Sequence, residues 1–306
     1  MTFLLRRIVT TLPVLFGVVT LSFFFIHFIP GDPVEIMLGD SARLADKTQL
    51  RKELGLDQPI ATQYLVFLKN LSQFDLGTSL QSKQPVLNEI FEKLPASFEL
   101  GLATLLFSLV LGVPLGVISA MKKNGFWDWC FSTLALVGLS SPSFWLAPLL
   151  IWLFALELNW FPVSERGGFL HLVLPTLTLA SGIAALFLRL TRSSLLETLN
   201  EDYMKTAKAK GLSTFQIFFI HGLGNSLFPL LTTFGMVLGS LITGTVIVET
   251  LFDWPGLGTL LFQAIQNRDY PMVQGCVLFV SILYVFVNAL TDVIYQLLHP
   301  QVSVDS

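Results

Sequence analysis

Residues 98–120 read FELGLATLLFSLVLGVPLGVISA and carry one ionisable side chain, that of Glu99. A helix needs about 20 consecutive apolar residues to cross the hydrocarbon core of a bilayer. This stretch meets that length, so it predicts a membrane-spanning helix. Glu99 stands at its start, where we interpret it as an anchor near the outer interface.

The composition of the whole chain supports the same interpretation. Of its 306 residues, 53% are hydrophobic and 13% are charged, and the mean hydropathy is +0.69. A soluble domain carries about a quarter of its residues as charged side chains, so this chain has too few to cover a water-facing surface. The formal net charge of −3 offers no basic surplus for phosphates. The chain is therefore predicted to contact the lipid bilayer and not nucleic acid.

Six stretches have the length and apolarity of a span. Pro142 and Pro148 lie in the third and predict a kink or a broken helix there. The predicted fold class is an all-α integral membrane protein with six transmembrane helices. The six spans are 8–29, 98–120, 129–156, 169–190, 226–248 and 273–298.

The Lys and Arg residues of the short loops predict the orientation. Such residues collect on the cytoplasmic side of a membrane protein. The opposite short loops hold two, Arg166 and Arg268. The protein is thus predicted to be a multi-pass protein of the inner (cytoplasmic) membrane with both termini in the cytoplasm. Nine basic residues fall on the predicted cytoplasmic side: Arg6, Arg7, Lys122, Lys123, Arg189, Arg192, Lys205, Lys208 and Lys210.

The spans divide the chain into four predicted parts. Residues 1–30 hold the first transmembrane helix, and 31–97 form an extracytoplasmic (periplasmic) segment. Residues 98–300 form a core with five transmembrane helices, which includes a cytoplasmic loop at 191–225. Apolar residues with helical spacing predict a helix over 61–71 in the extracytoplasmic segment, which we interpret as a cap on the bundle.

The loop at 191–225 has the pattern of two helices joined by a glycine. Residues 198–210 carry acids early and lysines late, as the helix dipole favours. Gly211 fits a left-handed C-terminal cap, and Ser213 is placed to cap a second helix over 214–221. We call this helix–glycine–helix segment, residues 203–225, the knob.

Two interpretations of the knob fit its spacing equally well. Ala207 and Ala209 are small enough to let the surface of a partner protein approach. Alternatively, the helix pair lies on lipid headgroups and is held there by Lys205, Lys208 and Lys210.

Several motifs together resemble one protein family. Residues 202–213, DYMKTAKAKGLS, followed by His221 and Asn225, resemble the EAA loop of the permease subunits of binding-protein-dependent ATP-binding-cassette importers. The form is that of the peptide, nickel and glutathione branch. Further matching motifs are PGDP at 30–33, LGLDQP at 54–59, DLGTS at 75–79, LPASFEL at 94–100, VETLFDWPGLG at 248–258 and RDYP at 268–271.

The resemblance implies a mechanism and a set of partners. Residues 98–300 would be the permease core, and the knob would dock into a groove on an ATPase subunit. The implied partners are a second homologous permease subunit, two cytoplasmic ATP-binding-cassette ATPases and an extracytoplasmic substrate-binding protein. The residues that would couple to the ATPase are Tyr203, Lys205, Ala207, Ala209, Gly211, Leu212, His221 and Asn225.

The chain has no P-loop pattern G-x-x-x-x-G-K-[ST], so it does not bind ATP by that route. ATP and Mg²⁺ are therefore expected on the partner ATPases, with no cofactor, catalytic residue or metal ligand in this chain. Alternating access is expected to move di- or oligopeptides; nickel complexes, glutathione or another small solute are the alternatives. An intramembrane enzyme is the alternative from a different class. It has little support, since the four histidines make no H-E-x-x-H and no G-x-S-x-G occurs.

Two further groups of residues are candidates for the transport route, each with a structural alternative. A substrate pathway is predicted at Ser140, Ser141, Phe144, Trp145, Asn288 and Asp292. These polar groups would alternatively bond the backbone freed by Pro142 or join neighbouring helices. An outer gate is predicted at Glu249, Trp254, Pro255 and Gly256, which would alternatively form only a tight turn.

Overall fold

A computed structural model of the chain describes residues 2–28, 33–38, 43–53, 55–213, 216–242 and 245–298. Within these ranges the chain is helical and has no β-strand, apart from an isolated bridge between Thr78 and Pro85. The all-α fold class predicted from the sequence is confirmed.

Fourteen α-helices and two π-helical stretches make up the described part of the chain. The π-helical stretches are Ile151–Glu157, which continues α7, and Gln216–Gly222, which precedes α10. The α-helices are α1 Thr2–Phe28, α2 Pro33–Leu38, α3 Leu44–Glu53, α4 Ile60–Ser72, α5 Val86–Met121, α6 Phe126–Ser140, α7 Ser143–Leu150, α8 Phe169–Asn200, α9 Asp202–Ala209, α10 Leu223–Ser226, α11 Phe228–Ile242, α12 Val246–Leu251, α13 Leu257–Gln266 and α14 Tyr270–Leu298.

Among the residues that the structure describes, three continuous helices are long and apolar enough to cross a membrane: α5, α8 and the Tyr270–Ile294 part of α14. A fourth span results if α6 and the helix over Ser143–Glu157 are one crossing, bent by 103°. This bend confirms the break predicted around Pro142. At the first and fifth predicted spans lie α1, with 27 residues, and α11, with 15; the parts whose side chains the structure describes include the apolar stretches Val9–Phe24 and Pro229–Ile242. The count of six spans stays a prediction.

Two predicted boundaries differ from those of the structure. The second span belongs to a helix that already begins at Val86, inside the predicted extracytoplasmic segment. The single helix predicted over 198–210 is wrong, because α8 runs to Asn200 and the chain turns at Glu201, where ψ is 151°. The Glu201 carbonyl then accepts the amides of Met204 and Lys205 and starts α9. The short polar side chains of Asn200 and Asp202 favour such a boundary.

The chain forms two compact units. The first unit comprises Met1–Ser97 and Pro255–Val285, and its core includes Val86, Ile90, Leu257 and Cys276. The second unit comprises Phe98–Trp254 and Phe286–Ser306.

A buried carboxylate organises the first unit. Asp269 Oδ1 accepts the amide of Met272 at 3.2 Å and so caps α14, while its Oδ2 accepts Ser79 Oγ at 2.5 Å. The predicted helix at 61–71 is confirmed as α4. It packs on α1 through Tyr64, whose hydroxyl lies 2.8 Å from that of Thr20.

In the second unit, α5 packs backbone to backbone on α8. A Cβ added at Gly112 would lie 2.5 Å from the Ala184 carbonyl oxygen, and one at Gly116 would lie 2.6 Å from that of Leu188. The two glycines form a G-x-x-x-G pair, which lets helices approach closely inside a membrane. This contact was not predicted, although the motif is visible at 112–116 in the sequence.

The helix α6 approaches α8 in the same way. A Cβ at Gly138 would lie 2.8 Å from the Ser181 carbonyl oxygen. Next to this contact Ala135 packs with Ala185 and Leu188. On another side of α8, Phe187 packs with Leu105 of α5 and with apolar residues of α11. The helix α8 is therefore the central helix of the second unit.

The first prediction compares two Gly→Ala changes near this contact. Gly112→Ala should destabilise the protein by about 1–3 kcal/mol, because the methyl group meets the backbone of α8 and cannot be accommodated. Gly182→Ala, whose Cβ would be no closer than 3.7 Å to its neighbour, is the matched control. It should stabilise by about 0.5–1 kcal/mol through helix propensity. The midpoint of thermal unfolding in detergent measures both. Equal midpoints for the two variants would contradict the close contact.

Candidate functional site

The helix α9 presents one face outward and buries the other. Lys205 and Ala209 are exposed, Tyr203 is 43% exposed, and Lys205 Nζ pairs with Asp202 Oδ1 at 2.7 Å. Met204 is fully buried, and Ala207 is 8% exposed. Of the two alanines predicted to admit a partner, the structure thus places only Ala209 at the surface.

Gly211 makes the bend predicted at the end of α9. Its φ is +78°, and a Cβ built there meets nothing within 4 Å. The amide of Leu212 reaches back to the Ala207 carbonyl at 3.4 Å. A left-handed residue just past a helix end is the usual way to close it, and glycine does so without strain. The open space around Gly211 leaves room for another surface.

The second helix of the knob begins with a reciprocal cap. The Gln216 amide donates to Ser213 Oγ at 3.3 Å, and the Ser213 amide donates to Gln216 Oε1 at 3.0 Å. This is a capping box with Gln at its third helical position. It confirms Ser213 as the cap. Within the described residues the helix that follows is the π-helical stretch Gln216–Gly222, and the first two positions of the helix predicted over 214–221 lie outside those residues.

For two predicted coupling residues, His221 and Asn225, the structure describes the backbone but not the side chain. The backbones of His221 and Asn225 lie in the π-helical stretch and in α10. Their side chains, like residues 214–215, lie outside the described part of the chain.

The base of the knob, by which we mean Phe218 and Leu223, packs onto α8 and α5. Leu195 is fully buried and joins Val117 and Ala120 in one cluster, against which Phe218 and Leu223 pack. Close by, Ser194 Oγ donates to the buried carbonyl of Ser226 at 2.9 Å. These contacts join the base of the knob to α8. These contacts were not predicted, although Leu195 and Leu199 have the spacing of a buried helix face.

An ion pair near the knob was also not predicted. Arg192 near the end of α8 bonds Asp128 in the first turn of α6, with Nε 2.6 Å from Oδ1. The sequence could have indicated this pair, because Asp128 is an isolated acid at the start of an apolar span, and such residues are usually paired.

The predicted pathway residues lie on two elements. Ser140 and Ser141 stand at the bend between α6 and α7, where Ser141 Oγ donates to the Val137 carbonyl at 2.8 Å. Phe144 and Trp145 follow in α7 and are both exposed.

The other two pathway residues, Asn288 and Asp292, lie one turn apart on α14, half-buried and each with an interaction partner. Whether either group contacts substrate stays a prediction.

Three of the four predicted gate residues are buried, and the fourth, Pro255, is half-buried. Glu249 and Trp254 are each 1% exposed in the second unit, and the Trp254 amide donates to the Glu249 carbonyl at 2.8 Å. Pro255 and Gly256 belong to the first unit, where Gly256 precedes α13 as its N-cap residue. Their role as a gate stays a prediction.

No group of three or more metal-ligating side chains occurs among the residues that the structure describes.

The second prediction concerns the cap of the knob. Ser213→Ala should weaken the start of the second knob helix by about 1 kcal/mol, because the Gln216 amide loses its acceptor. Hydrogen exchange followed by mass spectrometry should then show faster exchange over residues 216–222. Ser193→Ala is the control, since Ser193 Oγ bonds within α8, to Leu190 O at 3.2 Å. Unchanged exchange in Ser213→Ala would contradict the capping box.

Two family models of one transport system match consecutive parts of the chain. Residues 112–304 match the family described as binding-protein-dependent transport system inner membrane component. Residues 1–101 match the N-terminal family of the same transport system membrane components.

Relatives match over nearly their full length. The di/tripeptide transport system permease protein DppB of Pseudomonas aeruginosa (strain UCBPP-PA14) is 41% identical, covering 99% of this chain and 98% of the relative. The glutathione transport system permease protein GsiC of Pectobacterium atrosepticum is 40% identical, covering 98% of each. The dipeptide transport system permease protein DppB of Escherichia coli (strain K12) is 38% identical, again covering 98% of each.

A solved structure shares the fold. A chain of the MetNI methionine ABC transporter in an inward-facing conformation superimposes with a TM-score of 0.57 at 19% identity. The match covers 69% of this chain and 96% of that one. Family, relatives and fold lead to one conclusion: the chain belongs to the inner membrane components of binding-protein-dependent transport systems, the permeases that residues 202–213 resemble.

Proposed function

We propose that the chain is the permease subunit of an ATP-driven importer that moves di- or oligopeptides across the cytoplasmic membrane by alternating access. Its family makes it a membrane-bound transport component and not an enzyme. Membership also implies an ATPase and a substrate-binding protein as partners. The observation that carries the proposal is the knob, a helix–glycine–helix segment with an exposed bend at Ala209 and Gly211 and a base packed against α8.

The geometry of the knob supports docking in a protein groove over a position on lipid headgroups. At the bend, exposed Ala209 and Gly211 add little bulk, and the exposed Lys210 between them adds one positive charge. Lys205, which a lipid surface would attract, is already paired with Asp202. A groove on an ATPase would accept this narrow bend, and the packed base would carry its movement into α8.

Peptides are the substrate that the relatives favour. Two of them, at 41% and 38% identity, are named as di/tripeptide and dipeptide permeases. The glutathione permease at 40% identity names the competing substrate, itself a small peptide. Since the substrate-binding protein delivers the cargo, the choice between these substrates depends in part on that partner.

The full transporter would contain this chain, a second homologous permease, two ATPases that bind ATP and Mg²⁺, and the substrate-binding protein outside. Both termini and the knob would face the cytoplasm, on the side where the short loops carry most of the Lys and Arg residues.

A cysteine cross-link tests the docking of the knob directly. In a Cys130→Ala/Cys276→Ala background, Ala209→Cys should cross-link to a cysteine in the groove of the ATPase, and nucleotide should change the yield. Ala207→Cys is the matched control, because its position is buried against the chain and should not react. If Ala209→Cys failed to cross-link in correctly inserted protein, the lipid-surface interpretation would be favoured.

The third prediction concerns Gly211. Gly211→Glu should leave membrane insertion intact but reduce peptide uptake by at least about ten-fold, because a long charged side chain would fill the space at the bend. Gly211→Asn is the control, since asparagine tolerates the left-handed conformation and is short. It should retain most of the uptake. Normal uptake by Gly211→Glu in membrane vesicles would contradict the docking of the knob.

The fourth prediction concerns substrate. Cells that depend on this importer should take up a radiolabelled dipeptide, and unlabelled dipeptide should compete more strongly than glutathione. If only glutathione competed, the chain would instead be assigned to glutathione transport. Removal of the ATPase gene should abolish uptake in both cases, which separates the importer from a self-sufficient transporter.

A further inference from the structure

The partly buried ion pair between Asp128 and Arg192 has two hydrogen bonds in parallel. Arg192 Nε lies 2.6 Å from Asp128 Oδ1, and Nη2 lies 2.8 Å from Oδ2. The planar guanidinium suits this two-pronged geometry, which fixes direction as well as distance. The side chain of Asp128 is 6% exposed and that of Arg192 is 28% exposed.

The same carboxylate binds the turn that joins α5 to α6. Its Oδ1 accepts Ser119 Oγ at 2.5 Å, and its Oδ2 accepts the amide of Asn124 at 2.8 Å. Ser119 is fully buried in the last turn of α5. Asp128 thereby connects α5, the turn, α6 and α8 at one point.

This point lies between the knob and the bend of the third span. One turn after Arg192, Leu195 packs in the cluster beneath the knob. In the other direction, α6 runs from the turn beside Asp128 to Ser140, where the chain bends by 103°. A displacement of the end of α8 therefore reaches the first turn of α6 through the ion pair.

We propose that the Asp128–Arg192 pair is a positioning element that transmits movement of the knob to α6 and so to the bend at residues 140–143. This inference rests on the proposed function, because it takes the knob as the point where the ATPase acts. The two-pronged contact resists both sliding and rotation of α8 against α6, whereas a single hydrogen bond allows the helices to pivot.

General energetics favour this role over a contribution to stability alone. A buried ion pair adds little net stability, because the loss of hydration offsets most of the attraction between its charges. Removing one partner is nevertheless destabilising, since the other charge is left buried and unpaired. Stability and transmission are therefore separable by removing both charges together.

A double-mutant cycle makes this separation. The assembled importer in proteoliposomes, with its ATPases and binding protein, would carry Asp128→Asn, Arg192→Gln or both. Each single variant should unfold at a lower temperature, and the double variant should recover toward the parent. The uptake of peptide per ATP hydrolysed should nevertheless stay about three- to ten-fold lower in the double variant. Recovery of this ratio together with stability would overturn the proposal.

Two further variants cover the case in which the double variant does not insert. Arg192→Lys keeps the charge and loses the fork, so it should fold and still show the lowered ratio. Glu99→Gln is the control, because it removes a more exposed ion pair, to Arg166 at 2.7 Å, at the other end of this part of α5. A normal ratio in Arg192→Lys, or a similar loss in Glu99→Gln, would count against the proposal.

The Ala209→Cys cross-link distinguishes failure of this inference from failure of the proposed function. If the cross-link did not form in the parent protein, the docking of the knob would be contradicted, and the inference would fail with it. Its presence in the parent and in the double variant, with a lowered ratio, would place the defect beyond the knob, as proposed. Its loss in the double variant alone would overturn the inference while leaving the docking of the knob intact.

Discussion

The close backbone contact of α5 and α6 with α8 is the constraint on which the second unit depends. Between helices in a bilayer, apolar side chains gain little by leaving lipid, so association relies on close packing. Gly112, Gly116 and Gly138 supply it by removing the side chains that would hold the backbones apart. The path of α8 is fixed in this way, and α9 follows directly after its end.

The polar contacts of this unit reinforce the same arrangement where α8 leads into the knob. The Asp128–Arg192 pair joins α8 to α6, and the bond from Ser194 to Ser226 joins it to the returning chain. Between them Leu195 packs against the end of α5. A segment with such a base moves with α8 instead of hinging on it, which is what an importer needs if ATP hydrolysis elsewhere is to move its spans.

The surface of the knob complements its rigid base. The alternation of buried Met204 and Ala207 with exposed Lys205 and Ala209 leaves a narrow outward face. The left-handed Gly211 then reverses the chain without adding a side chain. The small residues Ala209 and Gly211 at the exposed bend suit insertion into a protein groove.

The sequence by itself determined the all-α membrane class, the break near Pro142, the helix at 61–71, the glycine bend and the Ser213 cap. Each depends on apolar length or on residues within a few positions of one another, so local chemistry decides it. Only the tertiary structure decided that Ala207 faces inward and that Asp128 meets Arg192. The ion pair follows from packing between α6 and α8, whose paired residues lie 64 positions apart. The tertiary packing of α9 fixes which of its faces remains free for a partner.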